Sequence, residues 1–479
     1  QTANYEIDTL APTVISVEIT DADGDQTLGA YGFVNATDNV SVTATFREAV
    51  IFDNASITPT ITLAVGSDNR TAVYASGDNS TALVFRYTIQ SGDNDTNGIS
   101  IGANALDDNS STIRDRAGNI ATDFTHSAVD NNSSYKVDTT APSVDNFTMS
   151  DTELKIGDNA TVTLVFSEPV CGASSGCSLS QTGGTDFSSA DITSDNGSLN
   201  NTMSSSQAND NKTIWTGTFT PNDNTEDNSS RLSLATTYTD LAGNNGPARQ
   251  TANYEIDTLA PTVSSVLITG QDGGQNYFLN AGDNVSVTAT FTENASVTGT
   301  PQLTLVVGSY NRIASYTSGT GSTALVFQYT IQAGETDSDG ISIGANALAL
   351  NGGTIRDPTG NDATLTHNTV SANSSYKVDT TAPTVSSFTI DDSLLLVSET
   401  ADVDLVFSEA VASFSSDADI TAPNGTLATM SSGNNITWSG TFTPSTNTED
   451  ASNALSLATS YTDLAGNPGP AETTSNYAV

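Results

Sequence analysis

Apolar and polar residues alternate along most of this chain in short runs. Val40, Val42, Ala44 and Phe46 are each separated by one polar residue, and Val285, Val287, Ala289 and Phe291 repeat the pattern. Val162, Leu164 and Phe166 keep the same period, as do Val403, Leu405 and Phe407; Leu83, Phe85, Tyr87 and Ile89 form a further row. A period of two puts every second side chain on one face, so each run predicts a strand with one buried side. Asp38-Asn39, Asp158-Asn159 and Asp283-Asn284 stand just before such runs and read as turn formers. Trp215 and Trp438 fall on strands of the same kind and are expected to fill cores.

The runs belong to repeats. Asp-Thr-(Leu/Thr)-Ala-Pro-(Thr/Ser)-Val begins at Asp8, Asp138, Asp257 and Asp379, spacings of 130, 119 and 122 residues. That is the size of one two-sheet sandwich. Ala82–Ile89 matches Ala324–Ile331, and the stretches from Gly98 and Gly340 share Gly-Ile-Ser-Ile-Gly-Ala-Asn-Ala-Leu. Ile214–Pro221 matches Ile436–Pro444 apart from one inserted residue, and both lead to Tyr-Thr-Asp-Leu-Ala-Gly-Asn, ending at Asn244 and Asn467. The order is therefore A-B-A-B. The sequence predicts an all-β chain of four tandem immunoglobulin-like β-sandwiches in an extended rod, at 8–137, 138–256, 257–378 and 379–479. Gln1–Ile7 repeats Gln250–Ile256, the expected last strand of the second sandwich, and so reads as the last strand of a preceding repeat.

Composition sharpens this picture. Only 36% of the 479 residues are hydrophobic, which suits thin two-layer cores. The 55 acidic against 13 basic residues give a formal net charge of −42, a surface that repels nucleic acid and anionic lipid headgroups. Because the charges sit between well-formed alternating runs rather than in blocks, they do not argue for disorder. No apolar run is long enough to span a membrane. Cys171 and Cys177 flank a Gly/Ser-rich loop and are expected to form a disulfide, in keeping with an oxidising compartment.

Threading each repeat as a seven-stranded sandwich brings three recurring acids to one pole. They are Asp8, Glu48 and Asp115; Asp138, Glu168 and Asp240; Asp257, Glu293 and Asp357; and Asp379, Glu409 and Asp463. Asn119, Asn244, Asn361 and Asn467 follow in Gly-Asn turns and are expected to add a carbonyl oxygen. Three carboxylates a few ångströms apart repel by roughly 1–4 kcal/mol per pair. A hard dication would relieve this, and Ca²⁺ suits flexible loop oxygens better than Mg²⁺. The alternative is a hydrogen-bonded turn without metal. A second acidic set, Asp93, Asp95, Glu335, Asp337, Asp339, Glu226, Asp227, Glu449 and Asp450, is expected either to add ligands across a joint or to keep loops solvated. Asp21, Asp23 and Asp25 have the spacing of an EF-hand start, but Gly32 stands where its bidentate glutamate belongs.

The Asp-Thr-Thr-Ala-Pro start, the Phe-Ser-Glu-x-Val segment and the Asp-x-Ala-Gly-Asn loop resemble the bacterial immunoglobulin-like repeats of giant calcium-binding surface adhesins, modules also found in surface-layer proteins. The resemblance covers nearly the whole chain and itself implies calcium at domain junctions. It implies a secreted or cell-surface stalk, supporting adhesion or biofilm formation, whose partners are calcium ions and neighbouring repeats of one longer chain. The alternative is a subunit of an assembled surface layer or filament. Nothing points to catalysis. His126 and His367 hold equivalent places in the two A-type repeats, and each acid recurs, whereas an active site is usually singular.

Overall fold

The computed structural model describes residues 7–23, 32–52, 57–172, 187–200, 203–205 and 213–479. Its contacts divide it into two units, Gln1–Thr258 and Leu259–Val479, each holding one A-type and one B-type sandwich.

In the first unit the A-type sandwich has one large antiparallel sheet, ordered Val14–Asp23, Asn39–Phe52, Ser80–Thr88, Asp68–Ser76, Thr60–Val65, Ser100–Asp107. Against it lies a small sheet in which Lys136–Asp138 pairs parallel with Phe33–Val34 and antiparallel with Asn94–Asp95. The alternating rows point inward: Val40, Val42, Ala44 and Phe46 are buried, as are Leu83, Phe85, Tyr87 and Ile89. The A-type sandwich of the second unit repeats this arrangement, with Asn284–Thr298 as its long strand.

The B-type sandwich of the first unit pairs Val144–Met149, Ala160–Phe166, Ile214–Pro221 and Gly197–Leu199 in one sheet. Tyr254–Asp257 is its last strand, parallel to Glu153–Lys155 and antiparallel to Glu226–Ser230. Phe166, Phe187, Trp215 and Tyr238 meet in its core, with Phe187 and Trp215 centroids 5.5 Å apart. The second unit's B-type sandwich builds the same sheet from Val385–Ile390, Ala401–Phe407, Thr437–Pro444 and Gly425–Leu427. Trp438 is only half-buried there; it covers the edge of the core against Phe414, at 4.9 Å, rather than filling its centre.

Asp21 and Asp23 lie on the strand Val14–Asp23, opposite Ser41 and Asn39. That extended pairing is incompatible with the coiled path of an EF-hand loop, and Asp25 lies outside the described residues. Cys171 is buried and is not a free thiol; its expected partner Cys177 also lies outside the described residues.

Candidate metal centres

The recurring glutamates sit where a strand changes partner. Asn39–Phe52 pairs with Ser80–Thr88 up to Thr45, breaks register, and resumes at Val50, which faces both Ser80 and Asp115. Glu48 occupies the break, and a bulge of this kind re-aims the side chains within it. The B-type sandwiches use the same device. Ala160–Phe166 ends before Glu168-Pro169, and Val170 then pairs with Asp240. Ala401–Phe407 ends before Glu409, and Val411 faces Asp463.

This brings the carboxylates together. Asp8, Glu48 and Asp115 each offer an oxygen within 4.8 Å of the others', as do Asp138, Glu168 and Asp240, and Asp379, Glu409 and Asp463. Of the remaining set, Glu293 and Asp357 lie in the second unit and within 4.8 Å of each other; Asp257 belongs to the first unit, where it closes the strand Tyr254–Asp257.

Each loop aspartate is buried and held by its own turn. Asp115 Oδ1 accepts the backbone N–H groups of Gly118 at 2.7 Å and Asn119 at 2.8 Å. Asp240 accepts those of Ala242 and Asn244, Asp357 those of Gly360 and Asn361, and Asp463 those of Ala465 and Asn467. The expected role of the asparagines needs correcting, because the amide nitrogen, not the carbonyl oxygen, faces each cluster. Asn119 Nδ2 donates to Asp115 Oδ2 at 2.7 Å and to the backbone carbonyl of Asp8 at 3.2 Å. Asn244 bridges Asp240 and Asp138 in the same way, and Asn467 bridges Asp463 and Asp379. Asn361 donates to Asp357 at 2.8 Å. Carboxylate and carbonyl are both acceptors, so only a donor satisfies them; the asparagines brace the loop to the linker.

Electrostatics single out the glutamates. Burial, then the charges of Asp8 and Asp115, push the Glu48 carboxyl above the usual range, and its buried Oε1 has no hydrogen-bond partner among the described residues. Burial, with Asp240 and Asp138, pushes Glu168 up to about 7. Glu409 is raised by burial, Asp379 and Asp463. Burial also raises Asp240, outweighing the hydrogen bonds from Asn244. At Asp115 burial pushes upward too, but the bonds from Asn119, Gly118 and Ala117 prevail and the carboxyl is lowered. The donors are all hard oxygens on loops and at strand breaks, a set that fits Ca²⁺.

The second acidic set is mostly neither ligand nor solvated surface. Asp93 is buried, bonded to Arg70 and Gln90 N–H and, at 2.5 Å, to Tyr87 Oη. Glu335 takes the same place with Arg312, Gln332 N–H and Tyr329. Asp95 and Asp337 accept backbone N–H groups of glycines, Gly66 and Gly98 in one case and Gly308 and Gly340 in the other. Asp227 and Asp450 hold Ser229 and Ser452 N–H; only Asp339, Glu226 and Glu449 are exposed. These loops need internal acceptors because their own backbone N–H groups are turned inward. The histidines are braces as well: Nε2 of His126 and His367 accepts the N–H of Ala105 and Ala347.

One linker residue escaped the sequence reading. Thr139 Oγ1 accepts Gly92 N–H at 2.9 Å and donates to Asp93 O at 2.9 Å, fastening the linker to the sandwich before it. Thr380 does the same with Gly334 and Glu335, and Thr258 with Thr225 and Asn222. Its signal was the threonine after Asp in all four internal copies.

Residues 138–256 and 379–479 match the bacterial Ig-like domain family. Both segments are thus similar to bacterial Ig-like domains. Among solved structures, the tetra-tandem repeat in the extending region of a large adhesion protein is 16% identical, with a TM-score of 0.27, covering 98% of this chain and 99% of that one. The D1-D4 ectodomain fragment of ICAM-5 is 11% identical, TM-score 0.22, covering 97% and 98%. Three N-terminal domains of the bacteriophage RB49 Highly Immunogenic Outer Capsid protein are 10% identical, TM-score 0.23, covering 78% and 100%. No curated protein matches the chain in sequence. In these two segments the acidic triads join three pieces of backbone: the incoming linker, the break after the second long strand, and the Asp-Leu-Ala-Gly-Asn loop.

Proposed function

We propose that this chain is a non-catalytic spacer of a secreted or cell-surface adhesin, in which Ca²⁺ held by the acidic triads stiffens the joints between successive Ig-like sandwiches. Such a spacer would serve adhesion or biofilm formation by carrying a binding module away from the surface. The observation that carries the reading is the repeated gathering of three carboxylates at the incoming linker, with the glutamate half-buried and, at Glu48, an Oε1 that has no hydrogen-bond partner among the described residues. In the Asp8, Asp138 and Asp379 triads two aspartates already spend an oxygen on a backbone N–H: Asp8 on Leu10, Asp138 on Thr140 and Asp379 on Thr381, beside the loop bonds of Asp115, Asp240 and Asp463. The glutamate is the member left to answer the local charge, and a dication would let it stay ionised. Recurrence of the same acids in every repeat also favours a structural ion over a reaction.

Titration calorimetry of the full chain with Ca²⁺ tests this, together with the thermal midpoint in Ca²⁺ and in chelator. Saturable binding and a higher midpoint are expected. No heat and an unchanged midpoint would overturn the reading.

A further inference from the structure

A turn that recurs in all four sandwiches opens on a different residue in the two types. In each, the first turn residue donates its N–H to an acid three residues on: Asn35 to Asp38, Lys155 to Asp158, Asn280 to Asp283 and Leu396 to Glu399. The return bond, from the acid's N–H to the first residue's carbonyl, is present in all four as well. With its backbone fixed on both sides, the first residue directs its side chain away from the turn. In the A-type sandwiches that residue is asparagine, and its amide reaches the following sandwich. Asn35 Nδ2 donates to Ala242 O at 2.9 Å, and Asn280 Nδ2 to Ala465 O at 3.0 Å. In the second unit Asn276 Nδ2 adds a bond to Leu464 O at 2.9 Å.

The carbonyls reached belong to the loops Asp240–Asn244 and Asp463–Asn467, which carry the buried aspartate and the bracing asparagine of each B-type triad. The loop is thus gripped twice. Asn244 and Asn467 tie it to its own linker at Asp138 and Asp379, while Asn35 and Asn280 tie it to the sandwich before. Lysine and leucine at the same position of the B-type turns cannot make the contact in this form, since neither offers a neutral amide of that length.

We infer that Asn35 and Asn280 are positioning residues: they specify an A-to-B joint by recognising a backbone carbonyl of the next sandwich's acidic loop, and they hold that loop in the geometry that gathers its triad. The partner such a pole accepts is an Ig-like sandwich presenting an outward carbonyl in an Asp-Leu-Ala-Gly-Asn loop. The ion-affinity consequence rests on the calcium reading above; the gripping of the loop does not.

The test uses the full chain with Asn35→Ala, Asn280→Ala and the conservative Asn35→Gln, followed by two measurements. In chelator, hydrogen exchange at Gly243 and Asn244 is expected to quicken by about three- to tenfold in Asn35→Ala, the worth of one neutral hydrogen bond. The loop at Asp463–Asn467 should be unmoved, and Asn280→Ala should give the mirror result. In Ca²⁺ titrations the same variants should weaken one set of sites by a similar factor without lowering the number bound, with partial recovery in Asn35→Gln. Unchanged exchange at both loops would overturn the inference. Absence of Ca²⁺ binding in the unaltered chain would instead remove the calcium reading and leave the exchange result to decide this one.

Discussion

At the scale of single residues, Glu48, Glu168 and Glu409 are the triad glutamates whose carboxyls are pushed upward by burial and neighbouring charge. Glu168 is raised to about 7 against an ordinary value of 4.5. A carboxyl whose pKa is raised on folding costs stability at any pH where the unfolded chain would ionise it more readily. Its contribution is therefore neutral below about pH 4.5, turns unfavourable as pH climbs from there to about 7, and is fully unfavourable above. The metal-free chain should accordingly show a thermal midpoint that rises as pH falls from 8 to 5. With Ca²⁺ bound the same carboxyl is held ionised, and the midpoint should fall over that range as protons displace the ion. A scan by circular dichroism with and without chelator checks the reversal of sign. Glu168→Gln should raise the metal-free midpoint by removing a like charge from Asp138 and Asp240, and should weaken Ca²⁺ binding at that triad by roughly tenfold or more. The triads were legible in the sequence because each acid recurs at a topologically fixed place. The direction of the asparagine amides was not, because spacing alone does not reveal which end of an amide meets the acceptors.

Among elements, the linkers are held from both sides. The Asp-Thr-x-Ala-Pro segment is fastened forward by the loop asparagine and backward by its threonine, as at Asp138 and Thr139. These bonds are independent of any ion. Thr139→Val keeps the shape and deletes both hydroxyl bonds, so the amide of Gly92 should exchange on the order of tenfold faster with Ca²⁺ or without it. An unchanged rate would remove the latch from the account. Strands and repeats were readable from alternation and self-similarity, down to the buried rows of Val40–Phe46 and Leu83–Ile89. What composition concealed was the work of the second acidic set. An aspartate in a polar loop looks solvent-facing in sequence, yet Asp93 and Glu335 are buried because Arg70 and Arg312 approach from a neighbouring strand. Asp21 and Asp23 misled in the opposite way: strand pairing with Ser41 and Asn39 overrode their loop-like spacing.

For the whole molecule, a formal charge of −42 makes repulsion between carboxylates the dominant long-range electrostatic effect. On the calcium proposal each ion would remove two negative charges where carboxylates crowd, so added monovalent salt should only partly replace it, since screening acts weakly on partly buried groups. Raising NaCl in chelator is expected to lift the thermal midpoint less than millimolar Ca²⁺ does; equal effects would point to general charge screening instead. The most direct measurement is anomalous diffraction from crystals of this chain grown in Ca²⁺. A peak of anomalous density among Asp138, Glu168 and Asp240, and another among Asp379, Glu409 and Asp463, is the predicted result. Carboxylates held apart by water, with no such peak at saturating Ca²⁺, would contradict it.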